Sequence, residues 1–201
     1  DPKLAGPPYT LIWRIDPINR RDLPCARPAD AGDVPVEKRR KKGTHTMLES
    51  GDRAPDFTTT LDDGSSVSLS RLGGAPVVLY FYPKDDTTGC TAEAKDFTAL
   101  AARFEKAGAR VIGISPDSVA AHVKFKRKHE LGIALAADTE KTIAEAYGVW
   151  VEKSMYGRKY MGVERSTFLV DAEGRLAAIW NKVKVPGHAA EVLKAVEALA
   201  G

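Results

Sequence analysis

The chain has 201 residues, 43% hydrophobic and 28% charged, which is the balance of a globular chain large enough for one sizeable core. No apolar run reaches the ~18 residues that a membrane-spanning helix needs. Two cysteines exclude a disulfide framework and a four-cysteine zinc site, and their scarcity predicts a reducing, cytoplasmic setting.

Residues 1–46 carry seven of the twelve prolines, a charge balance of +4 and the run Glu37-Lys-Arg-Arg-Lys-Lys42. A stretch of this kind buries too little apolar surface to fold alone, so 1–46 reads as a disordered or non-native basic, Pro-rich extension. Met47 is the expected start of the native domain, 47–201, with a genuine basic tail as the alternative. That domain has a balance of −1. The basic pI therefore belongs to the extension and argues for no nucleic-acid partner.

Regular patterning begins near residue 52. Phe57–Leu61 and Val67–Leu69 flank Asp62-Asp63-Gly64, a hairpin signal. Pro76–Tyr82 is a continuous apolar run, the mark of a strand buried on both faces. After the loop Pro83–Gly89, the segment Cys90–Ala107 repeats Ala94, Phe97, Leu100, Ala101 and Phe104 at helical spacing, and Gly108 stops it. A strand at Arg110–Ser115 leads through Pro116-Asp117-Ser118 into a helix over 118–131. A short strand at 134–136, a helix at 140–147, a strand pair at 166–171 and 175–181, and a last helix at 187–200 complete the pattern. Its order predicts an α/β fold with a mixed central sheet and helices on both faces. The crossover joining the strands at 76–82 and 110–115 should be right-handed.

One segment carries chemistry: Tyr82-Pro83-Lys84-Asp85-Asp86-Thr87-Thr88-Gly89-Cys90-Thr91-Ala92-Glu93. It sets a cysteine in the first turn of a helix that follows the carboxyl end of a buried strand, where open α/β sheets place their sites. Helix N–H groups and the macrodipole favour a thiolate there. Thr87 has a hydroxyl within reach of what the sulfur attacks, and Pro83 removes a competing N–H and walls off water. A thiolate alone is not a catalyst. Lowering a thiol pKa from about 8.5 to about 6 raises the thiolate fraction at pH 7 roughly 30-fold. The same shift costs roughly 10- to 18-fold in nucleophilicity. Donors that stabilise transition-state charge must supply the rest, at about 10²–10³ in rate each.

Pro83, Thr87 and Cys90 match the Pro-x-x-x-Thr/Ser-x-x-Cys motif, and 47–201 resembles the peroxiredoxins of the bacterioferritin comigratory protein, or peroxiredoxin Q, subfamily. Supporting segments are Gly51-Asp-Arg-Ala-Pro-Asp-Phe57, Gly113-Ile-Ser-Pro-Asp117, Tyr147-Gly-Val-Trp150, Lys153–Gly162 and Arg165–Asp171. The resemblance implies a thioredoxin-like fold and thiol-dependent reduction of hydrogen peroxide or organic hydroperoxides, without a cofactor. It makes Cys90 the peroxidatic nucleophile and Arg165 the guanidinium that completes the site. Glu93, three residues past the sulfur, is a candidate to orient Arg165. For Arg165 the alternative is a surface ion pair with Glu164 or a neighbour.

The departures set further expectations. Many relatives carry a resolving cysteine five residues after the first, where this chain has Lys95, and others carry it in the helix expected at 118–131, which has none. The reading is therefore one-cysteine-like. Cys90 sulfenic acid awaits thioredoxin, glutaredoxin, glutathione or another external thiol, with Cys25 the only internal candidate. Thr88 replaces the proline usual before Gly89. A disulfide oxidoreductase is disfavoured because Cys90 lacks a Cys-x-x-Cys partner, and a redox sensor without turnover is the alternative to an enzyme. Monomer and homodimer both stay open. The run Lys124-Phe-Lys-Arg-Lys128 reads as a solvated helix face. His122 and His129, seven apart, share a helix face but lack the companions of a metal site.

Overall fold

The computed structural model describes residues 47–155 and 157–200. The expectations for 1–46, Cys25 included, lie outside the described residues. Strands β1 (Thr58–Leu61) and β2 (Ser66–Ser68) form the first hairpin, with Gly64 at φ +82° in the turn. They are followed by β3 (Val77–Phe81), α1 (Thr88–Lys106), β4 (Arg110–Ser115), α2 (Val119–His129), β5 (Ala134–Ala137) and α3 (Thr142–Ala146). The chain then runs through β6 (Trp150–Met155), β7 (Arg158–Val163), β8 (Ser166–Val170), β9 (Leu176–Trp180) and α4 (His188–Ala200).

Seven strands form one mixed sheet in the order β2-β1-β5-β4-β3-β8-β9, with β3 parallel to β4 and antiparallel to β8. All five residues of β3 are buried, as its unbroken apolar run requires. Its alternate side chains feed two cores. Val77, Leu79 and Phe81 pack with Ile143 and Ala144 of α3, whereas Val78 and Tyr80 pack with Phe97 of α1, Phe125 of α2 and Val192 of α4. Helices thus cover both faces, and the architecture is thioredoxin-like α/β.

Three details differ from the sequence expectations. The hairpin β6–β7 carries no apolar alternation to betray it, because β7 is largely exposed. The helix expected at 140–147 spans only Thr142–Ala146. Lys141 adopts φ +61°, and the buried Asp138 carboxylate accepts from the Ile143 and Ala144 N–H groups, which sets the helix start. The basic run on α2 is only partly a solvated face: Lys126 pairs with Asp62 at 2.7 Å and Lys128 with Asp86 at 2.5 Å. No described helix is long and apolar enough to cross a membrane.

Candidate active site

The site forms where β3 ends and α1 begins. Thr87 has the extended backbone of an N-cap (φ −88°, ψ 152°), and α1 starts at Thr88, which makes Cys90 the third helical residue. Its thiol is 1% exposed and packs in the core cluster with Tyr80, Tyr82 and Ala94. Sheet register brings the second half. Phe81 pairs with Ser166, so the residue before β8, Arg165, lies beside the end of β3 although it is 75 positions from Cys90.

Arg165 divides its fork between two groups. Nη2 donates to Cys90 Sγ at 3.2 Å and Nη1 donates to the Glu93 carboxylate. Burial opposes the Arg165 charge, but Glu93 and Cys90 outweigh it and hold the guanidinium above its ordinary pKa. Gly89 leaves room for this contact, since a Cβ there would lie 3.3 Å from Nη2. Glu93 is almost fully enclosed, and desolvation pushes its carboxyl up to about 7 against the opposing pull of Arg165. Among the described residues, its Oε1 and the Tyr80 hydroxyl are buried without a hydrogen-bond partner. Tyr80 is held well above the ordinary phenol range by burial first and by the Glu93 charge next, so it stays protonated.

The structure therefore brings Cys90, Arg165 and Glu93 together. Pro83 is half-buried at the loop's entrance. The Thr87 hydroxyl donates to the Lys84 carbonyl at 3.2 Å, which leaves its lone pairs for the accepting role. Lys95 is exposed on α1. Sequence reasoning assigned no role to Lys153, whose ammonium donates to the Val163 carbonyl at 2.6 Å. Burial lowers its pKa, and the charges of Glu164, Arg165 and Cys90 also act on it. It also missed the contacts Asp85 makes with Tyr82 and His122. The adjacent carboxylates of Asp85 and Asp86 were the available signal.

Residues 50–179 match the model of the AhpC/TSA family. The chain belongs to that family. It is 50% identical to peroxiredoxin Bcp of Bacillus subtilis over 150 residues, covering 75% of this chain and 96% of that one. It is 43% identical to peroxiredoxin Bcp of Xanthomonas campestris over 155 residues, covering 77% and 97%. A solved structure of the Xanthomonas campestris bacterioferritin comigratory protein superposes with a TM-score of 0.71 at 43% identity, covering 77% of this chain and 98% of that chain. The peroxiredoxin is thus an enzyme, a peroxidase that draws its electrons from thiols.

Proposed function

We propose that residues 47–201 form a one-cysteine-like peroxidase domain in which Cys90 reduces hydrogen peroxide and organic hydroperoxides, and that residues 1–46 take no part. The observation that carries this reading is the 3.2 Å contact between Arg165 Nη2 and Cys90 Sγ at the first turn of α1. A permanent cation and the N–H groups of a helix start are both placed to stabilise negative charge that develops at this site.

The Cys90 thiolate attacks one peroxide oxygen, forming the S–O bond as the O–O bond breaks. The electron pair of that bond leaves on the distal oxygen, which takes a proton and departs as water or alcohol. Arg165 stabilises the charge that moves across the two oxygens. Thr87, with its own proton committed to the Lys84 carbonyl, presents lone pairs that accept a peroxide O–H. Glu93 keeps the guanidinium aimed at the sulfur, and Pro83 narrows the entrance to water. An external thiol then attacks the Cys90 sulfenic acid and releases water, and a second thiol displaces Cys90 from the mixed disulfide. Thioredoxin, glutaredoxin and glutathione are the reductants this scheme admits. Excess peroxide drives the unresolved sulfenic acid further up the oxidation ladder. The Xanthomonas campestris structure was described together with alkyl peroxide reduction, which supports the organic substrates.

Intact mass after one equivalent of hydrogen peroxide tests the scheme, with Cys90→Ser and Cys25→Ser variants alongside. One oxygen added at Cys90 and no disulfide is expected. A Cys25–Cys90 disulfide would refute external resolution and make residues 1–46 a working part. Peroxide consumption that stops at one equivalent with every thiol supplied would leave a redox sensor, not an enzyme.

A further inference from the structure

The two histidines that share a face of α2 each hold a carboxylate of the loop that leads to Cys90. Asp85 is 8% exposed; its Oδ1 accepts from the Tyr82 hydroxyl at 2.7 Å and its Oδ2 from His122 Nδ1 at 2.8 Å. His122 is fully buried, and its Nε2 lies 3.3 Å from the Ala136 carbonyl, which anchors the ring to β5. Two helical turns on, His129 Nε2 donates to Asp86 Oδ1 at 2.7 Å while Lys128 Nζ donates to Asp86 Oδ2 at 2.5 Å. The loop is also tied through its backbone, where the Asp85 N–H donates to Asp117 Oδ2 at 2.7 Å.

We infer that His122 and His129 are positioning residues for peroxide reduction, holding Asp85 and Asp86 so that the loop keeps Thr87 and the first turn of α1 around Cys90. This deepens the proposed function and rests on it.

Three observations carry the inference. Among the described residues, the hydrogen bonds that tie positions 84–86 to the body of the fold end in α2, in Asp117 just before it, or in Tyr82; the Thr87 hydroxyl bonds only within the loop, while its carbonyl accepts from the Thr91 N–H of α1. Asp86 sits at φ +59°, a left-handed conformation that a non-glycine residue holds at a cost, so its side-chain contacts keep the loop in shape. Its carboxyl is held below the ordinary range, by His129 first and Lys128 second, so the acceptor stays charged. The contacts also separate the two halves of the reaction. Peroxide reduction calls for Thr87 and Arg165 held around Cys90, whereas a sulfur 1% exposed must be uncovered before a protein thiol reaches it. The loop that α2 restrains runs directly into the helix turn that carries the sulfur, so its hold bears on both.

The test follows both halves in the full chain. Cys90 oxidation by hydrogen peroxide is timed by stopped flow, and sulfenic acid capture is timed with a cyclic 1,3-diketone. In Asp86→Asn and His129→Gln, oxidation should slow about three- to tenfold while capture accelerates by a similar factor. His129→Arg, whose permanent charge reaches the same carboxylate, should restore both rates. His122→Gln should show the larger change; should it fail to fold, the exposed pair decides. Rates unchanged in Asp86→Asn and His129→Gln overturn the inference. So do two rates that fall together with melting temperature, the signature of a merely structural contact. A wild-type protein that forms no sulfenic acid would sink the proposed function itself, and this inference with it.

Discussion

Arg165 bridges Glu93 and Cys90, giving one guanidinium nitrogen to the carboxylate and setting the other 3.2 Å from the sulfur. The fork is what makes this geometry possible. A lysine in its place is a point charge that cannot donate along two fixed directions at once.

Arg165→Lys is therefore expected to lower the second-order rate of Cys90 oxidation by about 10²–10³, the effect of removing one well-placed transition-state donor. Stopped-flow oxidation at matched peroxide concentrations measures it. A lysine variant that keeps the wild-type rate and loses only melting temperature would reduce Arg165 to a structural ion pair.

Glu93 makes a pH prediction with an unusual sign. Its folded pKa of about 7 lies above the ordinary 4.5, so between those values the folded state binds more protons than the unfolded state. Stability contributed by this group is full below about 4.5 and declines as pH rises through about 7, by up to about 3 kcal/mol. Glu93→Gln, which still accepts from Arg165, should remove that decline. His188 acts in the opposite direction. Burial lowers its pKa below 6.5, and folding loses stability as the unfolded histidine takes up a proton at lower pH. The difference between wild type and variant in urea melts across pH 4.5–8 isolates the glutamate. A difference that does not change across this range would show that Arg165 keeps Glu93 ionised throughout.

The sequence made some of this legible and hid the rest for physical reasons. Strand β3 was plain because burial on both faces demands Val77–Phe81 without a polar break. Helix α1 was plain because Ala94, Phe97 and Phe104 recur at its period and Gly108, at φ +74°, ends it. Cys90 stood out by its place at that helix start. Arg165 did not, since only the β3–β8 register brings a residue 75 positions away to the sulfur, and family resemblance alone pointed to it. The exposed β7 has no apolar pattern to read, and the Asp85–His122 contact depends on how α2 lies over the loop. The bond from the Thr87 hydroxyl to the Lys84 carbonyl was hidden too, because that carbonyl competes for the proton only once the loop has its shape.

Tyr80 and Gly113 are register partners on β3 and β4, and the ring lies over the glycine. A Cβ at 113 would stand 2.5 Å from Tyr80 Cζ and Oη, while Phe97 stacks on the same ring at 4.7 Å and blocks its retreat. Gly113→Ala is expected to cost about 3 kcal/mol through overpacking, roughly 6–12 °C in Tm. Tyr80→Leu, itself destabilising, should recover much of the loss in the double variant. A double-mutant cycle with coupling of about 1–3 kcal/mol is the expected result, and simple additivity would show that the clash is relieved elsewhere.

Thr88 opens α1 at the first helical position, where proline fits because its missing N–H has no partner in the helix. The residue before a proline must be extended, and Thr87 already is, at φ −88° and ψ 152°. Thr88→Pro should therefore enter without strain and stabilise the fold by about 0.4–1 kcal/mol, chiefly by restricting the unfolded chain. The same change stiffens the helix start that carries Cys90. If that start has to open before an external thiol reaches the sulfur, the variant should oxidise at an undiminished rate but recycle more slowly with a protein thiol. Urea melts read the first effect, and single-turnover oxidation and reduction read the second. A variant that is destabilised, or that recycles faster than wild type, would mean that the Thr88 N–H holds part of the loop that the proline releases.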